Sequence, residues 1–332
     1  MNIDFSKLLG IDRQIQRVKD AAERLTRKAT FWKEETDLYV LGSSILWGQG
    51  LLDEQKIHHH VRLWLEKSLS ERVHVHLLAH SGAQIGTPSA GPPKPLFGEV
   101  PTPRPTLSEQ IDLCPLTVGR KVRVLIEAGI NDVGGSRILN PGTTESSISK
   151  LTRRCCGDDL LGVLRQLTGK LPSAEVFVLG YYPILATPAD PDEVDRVLNA
   201  EGIDESEREA GFGDQSIKNC KVFWHEADRC MRRAVNRIAD ETGLSCHFVP
   251  SGFTSENGMF GSDCLLFYPW SIDPLMKQRA SACTRAIAEG RTGVHCYLAA
   301  AFHPDARGAQ RISGEVIKVM ERNYEKSGSP SV

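Results

Sequence analysis

The chain has 332 residues, 40% hydrophobic and 25% charged, an ordinary balance for a globular protein in water. A formal net charge of -2 gives no reason to expect nucleic acid or an anionic membrane surface as a partner. No stretch approaches the roughly 20 apolar residues that cross a bilayer, so no membrane span is expected.

Residues 1–36 are charged and predict a helical extension. They lack the apolar core and small-residue cleavage site of a secretion signal, which makes the cytoplasm the expected location. The run 38–44 (LYVLGSS) is a buried strand entering a turn. Residues 53–68 place Ile57, Val61, Trp64 and Leu65 at helical spacing. A strand at 73–79, a Pro- and Gly-rich loop at 87–106 and a strand at 121–129 follow. Residues 158–171 set five leucines on one helical face, before a strand at 174–182. Residues 188–215 form an acidic, polar insertion, read either as a solvated surface excursion or as a lid. A long helix at 217–242, a fifth strand at 244–250 and a last helix at 308–323 complete the series.

Five strands separated mainly by helices predict one α/β domain over 1–332, a three-layer α/β/α sandwich around a five-stranded parallel sheet. Ligands bind such sheets beyond the carboxyl ends of the strands. The loops after residues 43, 79, 128, 181 and 250 are therefore where chemistry is expected.

Four motifs fall at strand ends or before a helix. Gly42-Ser43-Ser44 through Trp47-Gly48-Gln49-Gly50 follows the first strand, where a serine at a strand-to-helix turn exposes its hydroxyl. His80-Ser81-Gly82 follows the second, and its glycine lets a backbone N–H approach a substrate oxygen. Gly129-Ile130-Asn131-Asp132 follows the third and offers a side-chain amide donor. Phe302-His303-Pro304 with Gly308 precedes the last helix and offers an imidazole base. A nucleophile, a base and aimed donors are the parts of acyl transfer.

In this combination the chain resembles the SGNH (GDSL-like) hydrolases over about residues 38–320. The stretch Gly98-Glu99-Val100-Pro101, with Pro105 and Gln110, is similar to a loop of that family. The resemblance implies a flavodoxin-like strand order and an ester hydrolase working on a small-molecule ester without metal or cofactor. It implies Ser44 as nucleophile and His303 as base. The Ser44 and Gly82 N–H groups and the Asn131 amide would form the oxyanion hole. Acyl transfer on the same site, or a weakened fold repurposed for binding a ligand or partner, stays open beside hydrolysis.

Two positions depart from the family pattern. Ala300 stands where an Asp, three residues before the histidine, is usual. A backbone carbonyl could orient His303 instead, giving a dyad; or Asp263, Asp273 or Glu256 could stand in; or the site is weakened. Asp305 lies on the wrong side of the histidine. Ser43 replaces the usual Asp beside the nucleophile and removes a charge there.

Other features carry blander readings. His58-His59-His60 points three ways on a helix and reads as an ordinary helix face, not a metal site. Gly48-Gln49-Gly50 lacks the full dinucleotide pattern. Trp47 and Trp270 are candidate pocket walls. Nine cysteines, an odd number, favour free thiols, Cys155 and Cys156 among them; the crowding of Cys264, Cys283 and Cys296 leaves room for one disulfide.

Overall fold

Runs rich in valine, leucine and isoleucine form five strands: β1 (Glu34–Leu41), β2 (Glu71–Leu77), β3 (Lys121–Ile126), β4 (Glu175–Leu179) and β5 (Ser245–Val249). In this computed structural model, residues 32–86, 99–115, 118–200, 212–269 and 272–326 are described. All pairings are parallel, and the order is β2-β1-β3-β4-β5. Leu38 pairs with Val75 on one side and Arg123 on the other; Val178 pairs with Phe248. The middle strands are apolar nearly throughout because helices cover both faces. Leu38, Val40, Val124, Ile126, Phe177 and Val178 are fully buried. The expected three-layer α/β/α sandwich with a flavodoxin-like order is the architecture found.

The helices in chain order are α1 (Ser44–Trp47), α2 (Ile57–Ser68), α3 (Leu107–Leu113), α4 (Ile130–Val133), α5 (Gly135–Leu139), α6 (Glu145–Arg153), α7 (Leu160–Lys170), α8 (Pro191–Ala200), α9 (Phe212–Thr242), α10 (Met276–Ala288) and α11 (Ala306–Lys326). Helices α2 and α11 pack together, whereas α9 packs on α6, α7 and β5, and α3 packs on α7. Between α6 and α7 the segment Arg154–Asp159 widens to a π-helical turn that buries Cys155 and Cys156. The five-leucine periodicity at 158–171 therefore reads the end of a longer helical run.

Strand β1 begins at Glu34, earlier than its apolar run suggests. Its polar residues Thr36 and Asp37 are buried and hydrogen-bonded. Thr36 donates to Glu71 at 2.7 Å, while Asp37 meets His76 at 2.8 Å and Arg120 at 3.2 Å. Arg123 lies between Glu71 and Glu175 at the same amino-terminal rim of the sheet. Residues 34–36 of the expected extension thus belong to the sheet, and 1–31 lie outside the described residues. In the acidic insertion, α8 buries Val194; residues 201–211 lie outside the described residues, and α9 starts at Phe212.

Helix α10 and the 3-10 turn Val294–Leu298 had no periodic signal. They pack as a small unit in which Val100, Ala286 and the disulfide Cys283–Cys296 are buried together. Cys264 stays a buried thiol, as do Cys114, Cys155, Cys156, Cys220, Cys230 and Cys246. Among the described residues, no helix is long and apolar enough to cross a membrane.

Candidate active site

The chain leaves β1 through Gly42, whose φ of +144° is in the region that favours glycine. A side chain there would lie 2.9 Å from both the carbonyl and the carboxylate oxygen of Glu127. Ser43 then caps the four-residue α1, with Ser44 as its first residue and Gly48, at φ +77°, as its end. The first N–H groups of a helix lack intrahelical partners, so the Ser44 turn presents donors. The Ser43 hydroxyl donates to Glu127 at 2.7 Å and its N–H does so at 2.5 Å. The Ser44 hydroxyl instead meets Nε2 of His303 at 2.6 Å.

His303 is held by backbone pairing on both sides. Phe302 donates its N–H to Phe267 at 3.0 Å, Phe267 donates to His303 at 2.8 Å, and Asp305 donates to Leu265 at 2.9 Å. Phe302 adopts φ +64°, uncommon for a residue with a side chain, and its carbonyl accepts the Tyr182 hydroxyl at 3.0 Å. Nδ1 of His303 lies 2.9 Å from the carbonyl oxygen of Ala301. A carbonyl can only accept, so Nδ1 carries the proton and Nε2 is left to accept from Ser44. Burial pushes the imidazole down to about 4, against the pull of the Ala301 and Ala300 carbonyls and with help from Arg279.

Gly82 takes φ +79°, and a side chain there would lie 2.6 Å from the Thr102 nitrogen. This glycine lets the 81–83 turn press on the 99–102 loop, where Thr102 donates to Ser81 at 2.9 Å. Asn131 is the second residue of α4, entered through Gly129 at φ +115°, where a side chain would lie 2.7 Å from Cys156 sulfur. Its amide donates to Ala83 at 2.9 Å, leaving a second N–H on the same nitrogen. Beside it, Asp132 accepts from the Ile85 N–H at 3.2 Å. Burial raises that carboxyl to about 6, against the lowering pull of this N–H.

Ser44, Gly82, Asn131 and His303 line one cavity of about 280 Å³. Ile45, Leu139, Ile184 and Leu298 give it an apolar wall, the usual make-up of a small-molecule site with few converging polar groups.

The three carboxylates considered as partners for His303 are engaged elsewhere. Asp273 is buried against Arg279, which also donates to Glu99 at 2.9 Å. Asp263 accepts from Asn257 at 3.1 Å and from Arg307 at 3.3 Å. Glu256 accepts the Ser262 hydroxyl at 3.5 Å. The acceptor on Nδ1 is the Ala301 carbonyl. Trp47 is not on the cavity wall; its ring tilts against His80 at 5.5 Å, with Lys56 5.2 Å above it. Trp270 lies outside the described residues. His58 is buried, its pKa lowered to about 4 by desolvation, while His59 and His60 stand edge to face. Among the described residues, no group of three His, Cys, Asp or Glu is placed to hold a metal ion.

Two residues near the site escaped sequence reasoning. Glu127, wholly buried just after β3, takes the Ser43 donors, the Tyr181 hydroxyl at 3.1 Å and the Leu46 N–H. Its signal was a lone carboxylate closing an apolar strand, in VLIEAG. A carboxyl group from another strand thus stands beside Ser43, its pKa raised by burial against the lowering pull of the Ser43 and Tyr181 hydrogen bonds. Arg279 is the other: a fully buried cation joining the 99–102 loop to the segment before His303.

No protein-family model and no curated protein sequence matches the chain. Among solved structures, it is similar to an extracellular lipase from Streptomyces rimosus, at 16% identity and a TM-score of 0.48, over 86% of this chain and 99% of that one. A phospholipase A1 from Streptomyces albidoflavus NA297 aligns at 15% identity and a TM-score of 0.46, over 87% of this chain and 99% of that one. A lipase from a goat rumen metagenome aligns at 14% identity and a TM-score of 0.41, over 85% and 96% of the two chains.

Proposed function

We propose that the protein is a serine hydrolase that cleaves a small carboxylic ester through an acyl-serine intermediate. The observation that carries this reading is the 2.6 Å contact between Ser44 Oγ and His303 Nε2, with Nδ1 held by the Ala301 carbonyl. His303 takes the Ser44 proton as Oγ attacks the ester carbonyl carbon. The oxyanion that forms is met by the Ser44 and Gly82 N–H groups and the second N–H of Asn131. The imidazolium then protonates the departing alcohol, and water, activated by the same imidazole, releases the acid.

The apolar wall favours an uncharged acyl or alcohol group. With no carboxylate on Nδ1, the imidazolium is less stabilised than in a triad, so turnover should be modest.

A fluorophosphonate probe tests the reading, together with p-nitrophenyl esters of graded acyl length. Wild type should be labelled on Ser44 and should release p-nitrophenol. Labelling that survives Ser44→Ala undiminished would refute the assignment. Product analysis with an added acceptor alcohol or amine separates hydrolysis from acyl transfer.

A further inference from the structure

Two turns that are 87 residues apart in sequence must hold their spacing if Ser44 and Asn131 are to serve one oxyanion. Among the described residues no direct hydrogen bond joins residues 42–48 to 129–133; beyond the β1–β3 ladder, a chain of buried groups connects them.

Glu127 Oε1 accepts the N–H and hydroxyl of Ser43, the residue before Ser44. Its Oε2 accepts the Tyr181 hydroxyl at 3.1 Å. The Tyr181 oxygen in turn accepts the N–H of Ile130, the residue before Asn131, at 2.9 Å. Glu127 and Tyr181 are each about 1% exposed, and the Tyr181 ring packs against Phe223 at 5.1 Å. The polarity runs one way. The Ile130 N–H can only donate, so the Tyr181 O–H is free to point at Glu127. Every group around the carboxyl is then a donor, which favours the acceptor-only carboxylate against the burial that raises its pKa. The close approach of Gly42 to the same carboxylate, where even a methyl would clash, presses the turn onto this anchor.

We propose that Glu127 is a positioning residue that, through Tyr181, holds the Ser44 turn and the Asn131 turn at the spacing oxyanion binding requires. This rests on Ser44 being the nucleophile. Glu127 has no place on the cavity wall and acts on the reaction through its neighbours.

The bridge makes Tyr181→Phe the informative variant, because it deletes one oxygen from a ring that stays packed. Glu127→Gln is its companion: an amide keeps the shape but puts a donor against donors. Turnover of a p-nitrophenyl ester and the rate of fluorophosphonate labelling would be measured on folded full-length variants, with and without Asn131→Ala.

Glu127→Gln should lower kcat by about 10²-fold, comparable to losing one oxyanion donor, with KM within about threefold of wild type. Tyr181→Phe should lower kcat about tenfold in wild type but less than about twofold in the Asn131→Ala background, because residues that act as a unit are non-additive. A merely structural role would give equal losses in both backgrounds. That equality, or a Tyr181→Phe enzyme with wild-type kcat, overturns the proposal while leaving Ser44 as the nucleophile. Should Glu127→Gln fail to fold, the Tyr181→Phe cycle decides alone. A wild-type protein that the probe does not label at Ser44, and that turns over no ester, overturns both readings together.

Discussion

The Ala301 carbonyl oxygen lies 2.9 Å from Nδ1 of His303, two residues further along the chain. The group that sets the imidazole tautomer is therefore part of the main chain. No side-chain substitution can delete it, and it carries no full charge.

Asp263 and Glu256, which are bonded to groups other than His303, should therefore be dispensable for turnover. Asp263→Asn and Glu256→Gln are each expected to keep kcat within about twofold of wild type, as surface changes usually do. His303→Ala should lose about 10²–10⁴-fold, the usual contribution of a positioned base. Initial rates on a short p-nitrophenyl ester check all three.

The pH profile follows from the buried imidazole. With its pKa lowered to about 4, His303 is neutral, and able to accept a proton, at all higher pH. The kcat/KM should stay level from about pH 5 through neutrality and fall as pH drops through about 4. An ordinary histidine would lose activity between pH 7 and 6, so a midpoint there would count against the desolvated ring.

Asp132 links stability to pH in the opposite sense from a paired carboxylate. Its folded pKa, raised to about 6, exceeds the ordinary value of 3.8. The folded state thus prefers the proton. The benefit is complete below about 3.8 and is lost as pH rises through about 6. Asp132→Asn, which keeps an acceptor for Ile85, should stabilise the protein at pH 8 by about 1–3 kcal/mol and by little at pH 4. Urea denaturation at the two pH values measures the difference.

Arg279 holds two buried carboxylates at once. Arg279→Ala would leave Glu99 and Asp273 without their cation and should cost about 3–5 kcal/mol. Since Glu99 also accepts the Gly50 N–H at 3.0 Å, the loop after α1 should loosen with it. Denaturant melts would show the loss, and faster amide exchange at Gly50 would show where it acts.

The alternation of apolar runs with helical spacing was enough to read the layered sheet, because strands covered on both faces are apolar nearly throughout. Strand starts were harder. Thr36 and Asp37 look like loop residues until Glu71, Arg120 and His76 are seen to bond them. Residues 44, 82, 131 and 303 stood out because each sits in a short motif at a turn, and the structure brings them to one cavity. The Ala301 carbonyl left no trace in the sequence, since every residue has one. Glu127 and Tyr181 were illegible for a related reason: their meaning lies in contacts across strands. Helix α10 had no sustained apolar stripe; Arg279 and a disulfide anchor it in place of a broad greasy face.

At the amino-terminal rim, Arg123 sits between Glu71 and Glu175, whereas the cavity opens at the opposite rim. The ionic cluster around Arg123 and the candidate site thus lie at opposite poles of the same strands. A designer could toughen the fold from the Arg123 pole without touching a residue that lines the cavity at the other.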